Sequence, residues 1–453
     1  MQQGITCNFQ AQHGVRLRQV TNESPGSVGW IRLLSMTPDS PPRTRATYRQ
    51  VMAVPRFRLL LVTSTLTGTA DSLRIATLAI LIYVRTGSAL LGAVTFGIGF
   101  LPQVIGSALL GALADQIPPR RLIVSGYTLE CAAAAVLALT DLPVWACLVL
   151  VAAVACWTPV AGGASNRLLG ASLTGDSYVL GRSLLNMAAS STQLIGLAAG
   201  GISVAVIGPH RSLLVSALAY AVAAALVHAG LPRLPVPDQP GPGDSAERGT
   251  WFAVRDSLAG IRKILANRRV RRLLITFWLP AGFVAGAEGL IVPYAGENGF
   301  PTGSSAWLLA CLPGGMLLGD LVSGRLMGPA ARERAVVPLI ALLGSPLVFF
   351  FSDPPYAVCA VLLVVTGVGF AYGLGLQRSF LDSVDGPHQG QAFGLLASGL
   401  MTLQGVGPAV FGGFAQVATA GTAMGVAGLA TLATAAWTAL TSAVGATVTD
   451  APS

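Results

Sequence analysis

The sequence predicts an all-α membrane protein with twelve transmembrane helices arranged as two six-helix repeats. Three observations support this fold class: an apolar composition, twelve apolar stretches in close succession, and weak internal repetition. Of the 453 residues, 53% are hydrophobic and only 10% are charged, against roughly 25% charged residues in an ordinary soluble domain. The mean hydropathy is +0.66. This composition excludes a soluble enzyme, a disordered protein and a collagen-like fibre.

Each of the twelve apolar stretches is close to the roughly 20 residues that an α-helix needs to cross a bilayer. Apolar and polar residues do not alternate along them, as they would in the strands of a membrane barrel. We number them spans 1 to 12 and predict them at about 59–83, 89–113, 121–140, 143–164, 183–207, 212–230, 272–294, 304–324, 335–352, 355–377, 390–417 and 421–446.

The basic residues test both the number of spans and their orientation. If the N-terminus is cytoplasmic, 25 of the 28 Lys and Arg residues fall in inner segments. Only Arg85 and Arg211 fall outside, and Arg74 lies within span 1. Because cytoplasmic loops carry an excess of Lys and Arg, this distribution predicts twelve spans with both termini in the cytoplasm. We expect the membrane to be the plasma membrane.

The predicted spans and the composition between them divide the chain into five segments. A central segment rich in Pro and Gly separates two apolar halves of similar length. The predicted segments are a disordered cytoplasmic tail (1–58), an N-terminal six-helix bundle (59–230), a cytoplasmic linker (231–271), a C-terminal six-helix bundle (272–446) and a short cytoplasmic tail (447–453).

The second part of the linker has the pattern of an amphipathic helix. Trp251, Val254, Leu258, Ile261 and Leu265 recur at helical spacing, with basic residues between them. Such a helix commonly lies on a membrane surface against anionic lipids. Binding of a partner or a regulatory role is the alternative.

The two halves repeat each other weakly, which indicates duplication of a six-helix unit. Two spans share the same pattern of small and polar residues at an offset of 211 positions, and spans 2 and 8 match at an offset of 208. In the first pair, Leu184, Leu185, Gln193, Gly196, Ala198 and Gly201 match Leu395, Leu396, Gln404, Gly407, Ala409 and Gly412. A parallel repeat of this kind places a substrate cavity between the halves.

The loop between spans 2 and 3 carries the most informative motif. It reads Gly111-Ala112-Leu113-Ala114-Asp115-Gln116-Ile117-Pro118-Pro119-Arg120-Arg121. This loop resembles the signature of the major facilitator superfamily, although Gln116 replaces the usual Arg and Pro118-Pro119 replaces Gly-Arg. The resemblance implies the major facilitator fold, with a cytoplasmic gate at Gly111, Asp115, Arg120 and Arg121. A simple turn with arginines anchored at the membrane surface is the alternative.

Within this family, the chain resembles the branch of the enterobactin exporter and related multidrug exporters. The likeness lies in Trp157-Thr158-Pro159, in Asn166-Arg167 and in the stretch from Leu180 to Gly201. Span 4 has no charge, so it lacks the intramembrane Arg of drug antiporters. In the glycine signature of span 5, Leu197 stands in place of a proline. Helix packing alone accounts for these glycines as well as an export-specific role does.

Charged residues inside spans are candidates for proton coupling, because an isolated charge at the bilayer centre costs about 2.5–3.5 kcal/mol or more. Asp71 and Arg74 are three residues apart in span 1 and therefore share one helix face. They either neutralise each other or act as a protonation switch. Glu288 in span 7 has no basic neighbour in sequence and suits a proton carrier, or is hydrogen-bonded near the outer surface. We expect Glu130 in span 3 to pair with another helix.

Four residues are candidates for the substrate cavity. Gln193 and Gln404 occupy equivalent positions in the two repeats, on spans that line the cavity in the family that the chain resembles. Their alternative role is that of hydrogen bonds between helices. Phe277 and Trp278 in span 7 could stack on a flat apolar substrate, or anchor the helix at the membrane interface.

The motifs of several other classes do not occur. Without a GxxxxGK[ST] loop, ATP-driven transport by this chain is not expected. HExxH and GxSxG do not occur, and the four histidines are scattered, so we predict no catalytic site, metal or cofactor and no nucleic-acid partner.

We predict a monomeric secondary transporter whose partners are protons, a small molecule and the bilayer. Its expected task is proton-coupled efflux of an amphipathic antibiotic, drug or siderophore. The alternatives are a proton-coupled importer of a small metabolite and a membrane scaffold or receptor.

Overall fold

A computed structural model describes residues 47–110, 117–173, 176–232, 261–301, 304–384 and 389–449. These residues are helical or lie in short connections, and no strand occurs among them. The helices follow the predicted order of spans. Pro55–Thr86, Pro119–Leu139, Asp176–Ile207, Pro209–Gly230, Ser304–Leu326, Gln389–Ala415 and Ala420–Thr449 form spans 1, 3, 5, 6, 8, 11 and 12.

The remaining spans are interrupted helices. Each consists of two helical pieces separated by one to three residues or joined end to end. The pieces are Ala89–Gly97 with Leu101–Leu110 (span 2), Val144–Ala155 with Thr158–Ser172 (span 4), Arg268–Gly289 with Ile291–Glu297 (span 7), Val336–Val348 with the 3₁₀ turn Phe349–Ser352 (span 9), and Tyr356–Gly369 with Tyr372–Asp382 (span 10).

The lengths and hydropathies of these helices confirm the predicted fold class. Eleven of them are long and apolar enough to cross a bilayer, and span 9, over Val336–Ser352, is a shorter apolar helix. At about 1.5 Å per residue, span 9 remains close to the roughly 30 Å thickness of the hydrocarbon core. The chain is therefore an all-helical membrane protein with the twelve-span pattern that the sequence predicts.

Span 5 begins at Asp176, before its predicted start near 183. Spans 1 and 7 also begin earlier than the hydropathy suggests. Span 1 starts at Pro55, preceded by the short helix Tyr48–Ala53, so part of the predicted tail 1–58 is helical. Span 7 starts at Arg268, because the Asn267 side chain caps the first turn by accepting from two backbone N–H groups. In both cases arginines occupy the first turns, and their charge conceals the start of the helix. The amphipathic helix predicted in the linker lies largely within 233–260, outside the described residues.

The interruptions in spans 4 and 10 lie at corresponding places in the two halves. In span 4 the break falls at Cys156 and Trp157, and in span 10 at Phe370 and Ala371. The span 4 break packs directly on span 2, since a Cβ at Gly106 would overlap the carbonyl group of Cys156. Corresponding breaks agree with the predicted duplication of a six-helix unit.

Glycines allow several pairs of spans to cross at close range. A Cβ at Gly315 in span 8 would meet the backbone of Val364 and Gly367 in span 10. In span 5, Gly196 and Gly200 lie against the backbone of span 1. At such crossings, the absence of a side chain on glycine lets the backbones of two helices come into contact. Helices in a bilayer commonly associate in this way.

This packing predicts opposite effects for two alanine substitutions in span 8. Gly315→Ala should lower the melting temperature of the purified protein, because the added methyl group forces spans 8 and 10 apart. Gly324→Ala is the matched control, since nothing lies within 4 Å of the position that its added methyl group would take and alanine favours the helix by about 0.5–1 kcal/mol. Thermal unfolding in detergent measures both. Equal melting temperatures for the two variants would contradict the assigned crossing.

Candidate functional site

A cavity lies within the N-terminal half, and Gln404 of span 11 borders it from the C-terminal half. Its central part has a volume of about 380 Å³ and continues into a part of about 370 Å³ that shares several of its lining residues. Asp71 and Glu130 line both parts. The second part extends from Asp71 toward Leu60 and Asn166, which lie nearer the predicted cytoplasmic ends of spans 1 and 4.

Arg74 is the charged centre of this cavity. One guanidinium nitrogen lies 3.1 Å from an oxygen of Asp71, and another lies 3.1 Å from an oxygen of Glu130. The arginine therefore connects span 1 to span 3 through two carboxylates. The Arg74 side chain is 8% exposed, so both carboxylates stabilise a charge that has almost no access to water. Asp71 and Arg74 are thus in contact, as their shared helix face predicts, and Glu130 pairs with another helix, as expected.

Tyr220 in span 6 completes the cluster. Its hydroxyl group donates a hydrogen bond of 2.5 Å to Asp71, and its ring lies 5.9 Å from the guanidinium carbon of Arg74, within the range of a cation–π contact. The two carboxylates differ in their access to the cavity. The Asp71 side chain is 42% exposed and that of Glu130 is 12% exposed, so Asp71 is the carboxylate that a proton in the cavity can reach.

The cavity is closed at the end that the sequence predicts to be extracellular. Hydrogen bonds join the halves there: the Tyr83 hydroxyl donates to the carbonyl oxygen of Pro293 at 3.2 Å, and the amide oxygen of Gln416 accepts from the hydroxyl group of Ser88 at 3.0 Å. Between them, Gly412 of span 11 packs on Ala93 of span 2. We call these contacts the outer seal. The cavity lies on the far side of the seal, toward the predicted cytoplasmic end.

Both predicted cavity glutamines line this central space. Gln193 in span 5 and Gln404 in span 11 border the same part of the cavity as Asp71 and Arg74. They approach it from opposite halves of the protein, as their equivalent positions in the repeat predict. Contact with a substrate stays a prediction for both residues.

The predicted aromatic pair lies elsewhere. Phe277 is 7% exposed, and its ring packs edge-on against Phe380 at 6.1 Å. Trp278 donates its indole N–H to the carbonyl oxygen of Leu396 at 3.0 Å and covers Gly399. Neither residue is part of the described lining of the central cavity. In this conformation both residues hold span 7 against spans 10 and 11.

Glu288 is buried within the C-terminal half, with 7% of its surface exposed. Its Oε1 atom has no hydrogen-bond partner among the described residues. Glu288 does not line the described part of the central cavity. The structure thus places Asp71 and Arg74 in one cluster and Glu288 outside it.

The predicted cytoplasmic gate is described only in part. Gly111 and Asp115 lie outside the described residues. Arg120 donates to the carbonyl oxygen of His228 at 2.5 Å, which ties the start of span 3 to the end of span 6. Arg121 is exposed. Together with Arg120 and His228 it lines a pocket at the surface. Their role as a gate stays a prediction.

Sequence reasoning missed the participation of Tyr220. No short-range pattern marks it, because its partners are in span 1 and it lies within an apolar run. A tyrosine in the middle of a lipid-embedded helix does require a partner for its hydroxyl group, and that requirement was the available signal. Thr95 and Gln103 of span 2 also line the cavity and were missed for the same reason.

Comparison with known families identifies the family of this chain. The model of the family described as Major Facilitator Superfamily matches residues 60–384. Among curated protein sequences, none matches this chain.

Several solved transporter structures share the fold. The nucleoside transporter NupG is 15% identical, with 85% of this chain and 98% of that chain covered and a TM-score of 0.65. A peptide transporter POT in complex with sulfate is 15% identical, with 87% and 98% covered and a TM-score of 0.66. A POT family transporter in complex with a thioalcohol conjugated peptide is 11% identical, with 85% and 96% covered and a TM-score of 0.67. At these identities the likeness concerns the fold.

The ion pairs of Arg74 predict a large effect of Glu130→Ala on stability. This substitution leaves a buried guanidinium with one partner, and breaking a buried pair costs about 3–5 kcal/mol of unfolding free energy. Asp141→Asn is the matched control, because Asp141 pairs with Arg85 but is 83% exposed, where pairs contribute about 0–1 kcal/mol. Denaturant or thermal unfolding in detergent measures both variants. Similar losses for the two would show that Glu130 does not support Arg74.

Proposed function

Since this chain belongs to the Major Facilitator Superfamily, and is therefore a membrane transporter, we propose that it exports a small amphipathic compound in exchange for protons. The compound would be an antibiotic, another drug or a siderophore. The proposed location is the plasma membrane, with both termini in the cytoplasm. The motifs of spans 4 and 5 support assignment to the exporter branch, and the charged cluster beside the cavity supports coupling to protons.

The observation that carries the proposal is that two carboxylates beside the cavity share one buried arginine, and Asp71 is far more exposed than Glu130. Asp71 can exchange protons with water, while Glu130 keeps Arg74 in place from the opposite side. Protonation of Asp71 therefore removes one ion pair and leaves the other. The guanidinium remains paired in the membrane, so the step avoids an isolated buried charge.

Protonation of Asp71 also changes its contact with Tyr220. The unprotonated carboxylate accepts the hydroxyl proton of Tyr220, and protonation weakens this contact by removing the charge from the acceptor. Spans 1 and 6 then lose one of the interactions that hold them in the present arrangement. Coupling arises if this arrangement and the alternative, outward-open one differ in their affinity for the proton.

Glu288 is the proposed second proton carrier. It is a buried carboxyl group with an unpartnered oxygen atom in the described part of the chain, and it occupies span 7, the repeat counterpart of span 1. Because Glu288 does not line the described part of the cavity, we propose that a proton reaches it in another conformation. This makes its role secondary to that of Asp71.

The cavity lining indicates the chemistry of the substrate. Hydroxyl and amide groups point to a molecule with several hydrogen-bonding groups, and the apolar neighbours point to an apolar body. The polar members include Ser64, Thr67, Thr95, Gln103, Thr192, Gln193 and Gln404, and the apolar ones include Leu60, Ile75, Leu78, Phe100, Val151 and Leu185. Gln193 and Gln404 are proposed substrate contacts. Phe277 and Trp278 would contribute only after a rotation of span 7.

An importer is the second candidate, because the polar part of this lining also suits a metabolite. Nucleosides and peptides are examples, since the solved structures compared above are nucleoside and peptide transporters.

At the cytoplasmic end of the protein, the proposed gate consists of Gly111, Asp115, Arg120 and Arg121. They would close the cavity when the outer seal opens.

Asp71→Asn should abolish substrate-driven proton movement, because the amide cannot take up a proton at the cavity surface. The measurement uses liposomes containing the purified protein and a pH-sensitive dye, with a panel of cationic dyes, antibiotics and siderophores. The direction of proton movement in the unaltered protein distinguishes export from import. The control is Asp141→Asn, an exposed carboxylate at the outer end. Proton-coupled transport at the normal rate by the Asp71 variant would refute the assignment.

The outer seal predicts that a disulfide bond between its partners stops transport. In the double variant Ser88→Cys/Gln416→Cys, oxidation should link spans 2 and 11 and hold the cavity open to the cytoplasmic side. Transport should fall at least tenfold and return after reduction, while each single variant remains active. Full transport by completely cross-linked protein would show that this contact need not open.

A further inference from the structure

A second cavity, of about 620 Å³, lies among spans 7, 9, 10 and 12 at their predicted cytoplasmic ends. Arg268, Arg269 and Arg272, from the start of span 7, line it, and we call it the arginine cavity. Its described lining shares no residue with that of the central cavity. A molecule bound here would therefore lie outside the central cavity.

The positive charge in this cavity is only partly balanced, because three arginines line it with one described carboxylate, Glu333. Among the described residues, no carboxylate forms an ion pair with Arg268, Arg269 or Arg272. By contrast, the nearby Arg378 lies 3.8 Å from Asp382. Arg268 and Arg272 are four residues apart on one helix, a spacing at which like charges repel.

The position of the arginines on span 7 adds a second unfavourable interaction. The first turn of a helix carries a partial positive charge, which disfavours cations. Span 7 has no acidic residue in its first turn, and the Asn267 side chain already occupies the N–H groups of Arg269 and Val270. An anion held between the guanidinium groups would offset both repulsions.

We propose that the arginine cavity binds the phosphate headgroup of an anionic phospholipid from the cytoplasmic leaflet. Guanidinium groups bind phosphate oxygens through paired, charge-assisted hydrogen bonds. The hydroxyl group of Ser379 in the same cavity can donate a further hydrogen bond, whereas that of Thr441 already donates to the carbonyl oxygen of Trp437. Basic pockets between membrane helices on the cytoplasmic side are suited to such headgroups.

The surroundings of the cavity favour a lipid over a free anion. Leu273, Val337 and Leu376 form part of the wall, which a bare phosphate ion would not use. Leu440, the residue before Thr441 on span 12, is 69% exposed. It provides apolar surface for an acyl chain at the same depth as the headgroup site.

Native mass spectrometry of the purified full-length protein tests the proposal. Dioleoyl phosphatidylglycerol should bind at least tenfold more tightly than dioleoyl phosphatidylcholine. The triple variant Arg268→Gln/Arg269→Gln/Arg272→Gln should lose this preference. The control triple variant Arg325→Gln/Arg334→Gln/Arg378→Gln removes the same charge from the same predicted membrane surface and should retain it. Equal loss in both triple variants would indicate general surface attraction and overturn the proposal.

Two further arms address folding and the identity of the anion. Ser379→Trp fills the cavity and leaves every arginine in place, so it should also lose the preference even if the triple variant folds poorly. Retention of phosphatidylglycerol by this variant would overturn the proposal. Inorganic phosphate alone should bind at least tenfold more weakly than the lipid. Phosphate binding as tight as that of the lipid would assign the cavity to a free anion instead.

Discussion

The arrangement of the N-terminal half depends on the cost of placing a charged arginine in the membrane. Arg74 has almost no contact with water, and its charge is stabilised by one carboxylate on its own helix and another on span 3. Tyr220 adds a contact from span 6 through Asp71. Three spans are thereby held around one guanidinium group, and each must keep its rotation and depth in the bilayer for that group to remain paired. The borders of the central cavity follow from these constraints.

Close helix crossings provide the frame in which this cluster is held. Glycines in span 5 bring it against span 1 near the arginine, and glycines in spans 8 and 10 do the same in the other half. Apolar contacts then continue from the outer ends of spans 1, 2 and 5 into the core of the C-terminal half. This packing joins the halves on one side of the cavity. Because these crossings rely on small residues rather than on interlocking large side chains, they allow close approach with few steric obstacles to sliding.

The sequence predicts the number, order and approximate position of the spans because each span must itself match the apolar thickness of a bilayer. It also predicts that Asp71 and Arg74 meet, since a spacing of three residues defines one helix face. The early starts of spans 1 and 7 could not be predicted from hydropathy, because arginines fill their first turns. The contacts of Tyr220 and the inward packing of Phe277 depend on how spans rotate against one another. No local pattern determines that rotation, so those parts of the site required the structure.

Span 1 is a continuous helix of 32 residues, whereas spans 2, 4, 7, 9 and 10 are interrupted. It carries Asp71 and Arg74 near its middle and Tyr83 at its outer end, about 18 Å beyond Asp71 along the axis. An unbroken helix behaves as a stiff rod, while interrupted helices absorb displacement at their joints. A small tilt of span 1 caused at Asp71 would therefore be transmitted in full to Tyr83. Span 1 can therefore act as a rigid lever. The charge cluster lies near its middle, and the hydrogen bond from Tyr83 to Pro293, which joins the two halves, lies at its outer end.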